Sequence, residues 1–273
     1  MRKSGLFTIC GLFSTLLLLL PESHGSPVIC SSHGEECEYN EDNYIDTELE
    51  CTLVCEDQDQ CQFITHQSLM INHTEADVNI IVQSSASCQL TVLAVGGGGD
   101  GDYGGGGSGY LQYQTIALDP GVNSISGRVG ARKQASTVSI NGVTTVSADS
   151  GQEPYVSGTH VHGGDGYSGG GEYAREGYFG SDGGSNGGDG EASHGGSGTG
   201  ENISDYTFTA WTLTPGAGGK YDDFDTYGGG GGGVLVEGLG PAAFEVQGQG
   251  YGGGGGGLTN GLQGVILLEV RSE

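Results

Sequence analysis

Two glycine runs, Gly228 to Gly233 and Gly252 to Gly257, bracket a short apolar segment, Val234, Leu235 and Val236. Glycine loses more conformational entropy on ordering than any other residue, so bare runs of this kind strongly limit the ways the chain can fold. Either they remain flexible linkers, or they pack so closely that only a residue without a Cβ fits. The second arrangement is a bundle of extended, left-handed helices with three residues per turn. That backbone has no internal hydrogen bonds, so each helix must take its amide partners from its neighbours. The interleaved apolar segments Val234 to Val236 and Val265 to Val270 need a folded neighbour to cover them, which favours the ordered bundle. A collagen triple helix is excluded, because no Gly-x-y register is sustained and only six prolines are present.

The glycines are unevenly placed. Only four of the 58 precede Gly96, so the rest of the chain carries about four times the usual ~7 %. At the other end, Arg2 and Lys3 are followed by an apolar run from Leu6 to Leu20, then Pro21 and the small residues Ser23, Gly25 and Ser26. This is the layout of a secretory signal peptide cleaved near Gly25. The run is shorter than the ~20 residues that span a bilayer, and no membrane span is expected.

Cys10 falls in the leader, leaving Cys30, Cys37, Cys51, Cys55, Cys61 and Cys88. Six cysteines in a secreted chain favour disulfides, with fifteen connectivities open. A zinc site at Cys51, Cys55 and Cys61 is the competing arrangement, disfavoured by the spacing and by an oxidising compartment. Charge is also lopsided: from Ser26 to Val95 there are 13 acidic residues and no Lys or Arg, and the chain without its leader carries net −27. Such a polyanion repels nucleic acid and anionic membranes, and favours cations, basic proteins or mineral surfaces.

Residues 26–61 are polar and cysteine-dense, a segment too small to bury much apolar area and dependent on bridges. Beyond them Phe63 to Ile71, Val78 to Gln83 and Gln89 to Val95 alternate β-branched residues in the manner of strands. Tyr110 to Leu118, Ser124 to Val129, Ala135 to Ile140 and Val143 to Ser147 continue the pattern, with Asn141-Gly142 as a hairpin turn. Tyr206 to Leu213, which contains Trp211, is expected as a further strand, followed by a turn at Pro215 to Gly219. Asn72 and Asn202 each open an Asn-x-Ser/Thr sequon for N-glycosylation.

These residues carry a resemblance. Leu90 to Gly96 with its glycine run, Asp119-Pro120-Gly121-Val122, Arg128 to Arg132, the diffuse Gly163 to Gly200 region, Gly248 to Gly253 and Gly264 to Val270 together resemble the glycine-rich domain of anaplastic lymphoma kinase type receptors and, more distantly, phage tail-fibre adhesins. The resemblance covers about Leu90 to Val270. It implies a β-sandwich of tumour-necrosis-factor-like type packed on a bundle of polyglycine II helices. No kinase or membrane-spanning segment is found in these residues, so receptor signalling is not carried over. The acidic cysteine-bearing part lies outside the match, and as a free-standing acidic secreted protein the chain looks like the matrix proteins of invertebrate skeletons and shells. The expected fold is therefore mainly β: residues 1–25 a signal peptide, 26–61 an acidic cysteine-rich segment, and 62–273 a glycine-rich β domain.

Chemistry-bearing constellations are sparse. Ser168 and Ser185 each sit in a Gly-x-Ser-x-Gly pattern, but neither has the strand-to-helix flanks that give the motif its mechanics. His160 and His162 share a strand face near Asp165, without a convincing third metal ligand. Asp100 with Asp102, and Asp222, Asp223 and Asp225, are oxygen-rich groups of the type that binds Ca²⁺, but neither fits an EF-hand loop. Diffuse calcium attraction to the polyanion is expected instead, and no cofactor. Tyrosines beside glycine (Tyr103, Tyr110, Tyr167, Tyr227, Tyr251) suit the ends of a glycine bundle, where an adhesive or cross-linking role is the alternative. The expected function is that of a secreted structural protein of an extracellular matrix, in a mineralised setting and without enzymatic activity, with matrix proteins or mineral as partners. The alternative is a secreted binding module, ligand or adhesin, for a cell-surface receptor.

Overall fold

In the computed structural model, the described residues are 51–56, 61–65, 67–74, 77–84, 86–158, 160–170, 179–181, 203, 206–219, 227–244 and 246–272. All belong to the second of two units into which the chain divides, Thr47–Glu273. The leader, Cys30, Cys37, Ser185, Asn202, Asp222, Asp223 and Asp225 lie outside the described residues.

Alternating β-branched sequence produces two large antiparallel sheets. The first orders β1 (Thr52–Cys55), β4 (Val78–Ser84), β7 (Gly121–Arg128), β8 (Ser136–Ile140) and β9 (Val143–Ala148). The second orders β2 (Gln62–Thr65), β3 (Ser68–Ile71), β15 (Val265–Ser272), β5 (Cys88–Val95) and β6 (Leu111–Leu118). Two small sheets accompany them. One joins β10 (Tyr155–Ser157), β11 (His160–His162) and β12 (Phe179–Ser181), with β11 and β12 parallel. The other pairs β13 (Leu213–Pro215) with β14 (Val234–Val236).

The first sheet is half-buried, as its alternation predicts. In β4, Val78, Ile80 and Val82 are buried while Asn79 and Gln83 are exposed. The centre of the second sheet is buried on both faces, which is why β5 and β15 lose their alternation and read as continuous apolar runs. Leu90, Val92, Ala94, Ile266 and Leu268 face the first sheet's Ile80, Val82, Ile125 and Val138 in one core. On the opposite face Leu93, Val95, Val265 and Leu267 pack with Ile203, Trp211, Val234, Val236 and Tyr251.

Turn chemistry closes the hairpins. Asn141 and Gly142, at φ 50° and 80°, both take the left-handed backbone that a two-residue type I′ turn requires. The Asn141 side chain fastens the turn, accepting from the Ser124 N–H at 2.9 Å.

Two expected strands differ. The segment Phe63 to Ile71 is a hairpin of β2 and β3, broken by a turn at Gln67. Most of Tyr206 to Leu213 is not a strand; only Leu213 enters one. The reason is a competing acceptor. The N–H groups of Thr209 and Ala210 donate to the carboxylate of Glu269 on β15, at 2.8 and 3.2 Å, and so do not join a ladder.

Among the described residues two disulfides tie the sheets together. Cys51–Cys88 joins the residue before β1 to the start of β5. Cys55–Cys61 links the end of β1 to the residue before β2. Residues 51–56, assigned from sequence to the acidic cysteine segment, thus contribute a strand to the first sheet. Bonded in pairs, these sulfurs are not available as the thiolates a zinc site needs. The Cys51–Cys88 bridge spans 37 residues, which in the chain-entropy description stabilises by about 4 kcal/mol. Cys55–Cys61 spans only six residues, worth about 2 kcal/mol on the same basis. Removing the first bridge as Cys51→Ala with Cys88→Ala is therefore expected to cost about 2–5 kcal/mol of unfolding free energy by denaturant titration, and removing the second is expected to cost less.

Candidate functional site

The glycine tracts pack backbone against backbone beside the second sheet. Gly104 to Gly107, Gly228 to Gly233 and Gly252 to Gly257 are buried. Their amides bond between tracts that are far apart in sequence. Gly106 N–H donates to the Gly255 carbonyl at 2.7 Å and Gly255 N–H to that of Gly99 at 2.8 Å. Gly231 N–H donates to the Gly106 carbonyl at 3.0 Å, and Gly254 N–H to that of Gly231 at 2.8 Å. This cross-bonding satisfies buried backbone groups that have no partner within their own tract.

The approach is too close for side chains. A Cβ built on Gly97 would lie 1.8 Å from the Ala131 carbonyl oxygen, and one on Gly231 would lie 2.1 Å from that of Ser168. Serines serve as nodes where the tracts meet the sheets. Ser136 Oγ donates to the Val95 carbonyl at 2.6 Å and accepts from Gly130 N–H at 2.8 Å. Ser168, the centre of one Gly-x-Ser-x-Gly match, joins tract to tract instead. It is fully buried, its N–H donates to Ser108 Oγ at 2.8 Å, and its carbonyl accepts from Ser108 N–H at 2.9 Å.

Asp100 anchors a tract end. Its Oδ1 accepts from Gly261 N–H at 2.9 Å, while Oδ2 faces Lys133 Nζ at 3.2 Å and Arg132 Nη1 at 3.8 Å. Lys133 also reaches Glu153 Oε1 at 2.9 Å. Hydrogen bonds to Glu153 and then Asp100 raise the Lys133 pKa. Asp102 is exposed beside this cluster. Of the histidine pair, His162 stacks on its cross-strand partner Tyr155, with ring centroids 4.5 Å apart. The nearby Asp165 accepts through its backbone carbonyl from Gln152 N–H at 2.7 Å. Among the described residues no group of three or more His, Cys, Asp or Glu is placed to hold a metal ion. Asn72, half-buried, follows the end of β3, and its carbonyl accepts from Gln263 Nε2 at 2.7 Å.

Aromatic rings line the tract ends and the segment Tyr206 to Leu213, which covers the outer face of the second sheet. Tyr103 stacks on Tyr227, and Tyr113 on Tyr206. Tyr110 leads into β6, its N–H donating to the Asp149 carbonyl at 2.9 Å. Burial, then the nearby carboxylates of Asp165 and Asp149, push its phenol pKa up. Glu269 is a structural centre that the sequence analysis did not single out. It is 1 % exposed and accepts from Arg271 Nε at 2.6 Å as well as from the two amides of the covering segment. Its signal was present as the one charge inside the run Val265 to Val270.

Comparison of the chain with protein-family models, with curated proteins and with solved structures finds no match. Among the described residues no helix is long and apolar enough to cross a membrane.

Two outcomes follow from this packing. Gly231→Val is expected to cost more than about 4 kcal/mol or to abolish cooperative unfolding, since something must move to admit the side chain. Gly158 has φ 65° and nothing within 4 Å of an added Cβ, so Gly158→Ala is expected to cost only about 1–2 kcal/mol. Thermal or denaturant unfolding of both variants checks the contrast. The second outcome concerns pH. A raised phenol pKa means that the folded state favours neutral Tyr110. That contribution is whole below the ordinary value of 10.0 and is lost as pH rises through the higher folded value. Stability measured across this alkaline range is expected to fall less steeply in Tyr110→Phe.

Proposed function

We propose that the protein is a secreted, acidic structural component of an extracellular matrix, above all a mineralised one, and that it has no enzymatic activity. In this reading the glycine tracts are a bundle of polyglycine II helices packed on a tumour-necrosis-factor-like sandwich, and residues 1–25 are a leader. The observation that carries it is the backbone-to-backbone packing of the tracts. Cross-bonded amides with no room for a Cβ at Gly97 or Gly231 describe a rigid body built mostly without side chains. The chain's net charge of −26 attracts Ca²⁺ or mineral surfaces diffusely, with a screening length of about 8 Å at physiological salt. Mass spectrometry of demineralised matrix extract is expected to find the protein there; recovery only from circulating fluid overturns the reading.

A second reading, a secreted binding module acting as ligand or adhesin, is favoured by one separate observation. Phe244 and Leu258 are 73 % and 70 % exposed, and Leu258 has φ 53°. A bulky residue rarely adopts that backbone, and here it gains no burial in return. Pull-down from cell-surface extract separates the readings, because a discrete receptor of sub-micromolar affinity belongs to the module and not to a matrix filler.

A further inference from the structure

Three short segments meet at one end of the glycine tracts. Asp102 N–H donates to the Gly104 carbonyl at 3.0 Å, and the Asp102 carbonyl accepts from Leu258 N–H at 3.1 Å. The Tyr103 carbonyl accepts from Gly228 N–H at 3.1 Å, and the Gly228 carbonyl from Gly257 N–H at 3.0 Å. The backbones of Tyr103 and of Tyr227's immediate neighbour are therefore bonded to each other, although far apart in sequence. A Cβ added to Gly257 would lie 2.6 Å from the Tyr227 Cβ, so bare backbone fills the space beside that side chain. The two phenol rings lie nearly parallel, 10° between planes, with centroids 6.3 Å apart. Tyr103 is 48 % exposed.

We propose that Tyr103 and Tyr227 form an oxidative cross-linking site, a dityrosine clamp across two glycine tracts. The co-reactant is hydrogen peroxide used by a haem peroxidase. Each phenol gives up one electron and its hydroxyl proton, leaving two phenoxyl radicals. These pair to form one carbon–carbon bond between the ring positions ortho to the oxygens. The two ring hydrogens displaced at those carbons shift to the oxygens and restore both phenols. The two electrons and two protons reduce one hydrogen peroxide to two waters, so the protein loses two hydrogen atoms in all.

The arrangement favours this pair over Tyr113 and Tyr206. Those rings stack more closely, at 4.8 Å, but neither is exposed, whereas in the other pair Tyr103 is exposed and Tyr227 half-buried. Tyr113 also packs edge-on against Phe208. Tyr103 is 48 % exposed, where an external oxidant reaches it, and its backbone bond to Gly228 ties together the two chain segments that carry the rings. The bond would fasten the open end of tracts that are otherwise held together by hydrogen bonds. This inference goes beyond the matrix reading and does not depend on where the protein resides.

The test treats the dilute, purified full-length chain with a haem peroxidase and hydrogen peroxide, then follows dityrosine fluorescence and maps peptides by mass spectrometry. The expected product is monomeric and contains a peptide pair joined through Tyr103 and Tyr227, lighter by two hydrogens. Tyr103→Phe keeps the stacked ring and removes the phenol, and is expected to abolish that pair and most of the fluorescence. Tyr113→Phe is expected to leave both unchanged. Coupling only between chains, coupling mainly at another tyrosine pair, or undiminished fluorescence in Tyr103→Phe overturns the proposal.

Discussion

Backbone hydrogen bonding between glycine tracts is the constraint on which the other layers depend. Each net bond contributes only about 0.5–1.5 kcal/mol, while ordering one residue's backbone costs about 1–2 kcal/mol. The bonds from Gly106 to Gly255, Gly255 to Gly99 and Gly254 to Gly231 therefore do not hold the tracts by themselves. Apolar burial supplies the difference where the tracts run into Val234, Val236 and Tyr251, which pack on Leu93, Val95 and Leu267 of the second sheet. The dependence is mutual, because without that cover the outer face of the sheet would expose a continuous apolar surface.

The covering layer is fixed by one buried acid. Taking a carboxylate out of water is costly unless its lone pairs are met. Glu269 meets this condition with Arg271 on its own strand and with the amides of Thr209 and Ala210. Those contacts give the covering segment its irregular backbone and position Trp211 over the sheet, edge-on to Phe208. A single side chain thus joins the ladder, the aromatic layer and the surface.

Negative charge is distributed so as to spare this framework. Glu269 is the only acidic residue in any described strand. The remaining described carboxylates lie in loops, where several meet the few cations: Asp77 with Arg128, and Asp100 and Glu153 with Lys133. An exposed pair such as Asp77 with Arg128 contributes about 0–1 kcal/mol.

Local pattern was sufficient for the mainly β character, for strands read at Val78 to Gln83 and Gln89 to Val95, and for the Asn141-Gly142 hairpin. Side-chain alternation and left-handed turn residues are properties of a few neighbouring positions, so the sequence by itself determined them. It also supplied an even set of cysteines but no pairing, since Cys51–Cys88 depends on two sheets meeting. Tertiary structure alone decided that Phe63 to Ile71 would fold back on itself and that Tyr206 to Leu213 would give its amides to Glu269 instead of a strand. It likewise decided that Asp100 would face Lys133 and Arg132, a pairing that no local pattern indicated. The glycine runs show the division most clearly. Their composition permitted either a linker or close packing, and the choice lay with carbonyls far away in sequence, because a backbone without side chains carries no local signal of what it will touch.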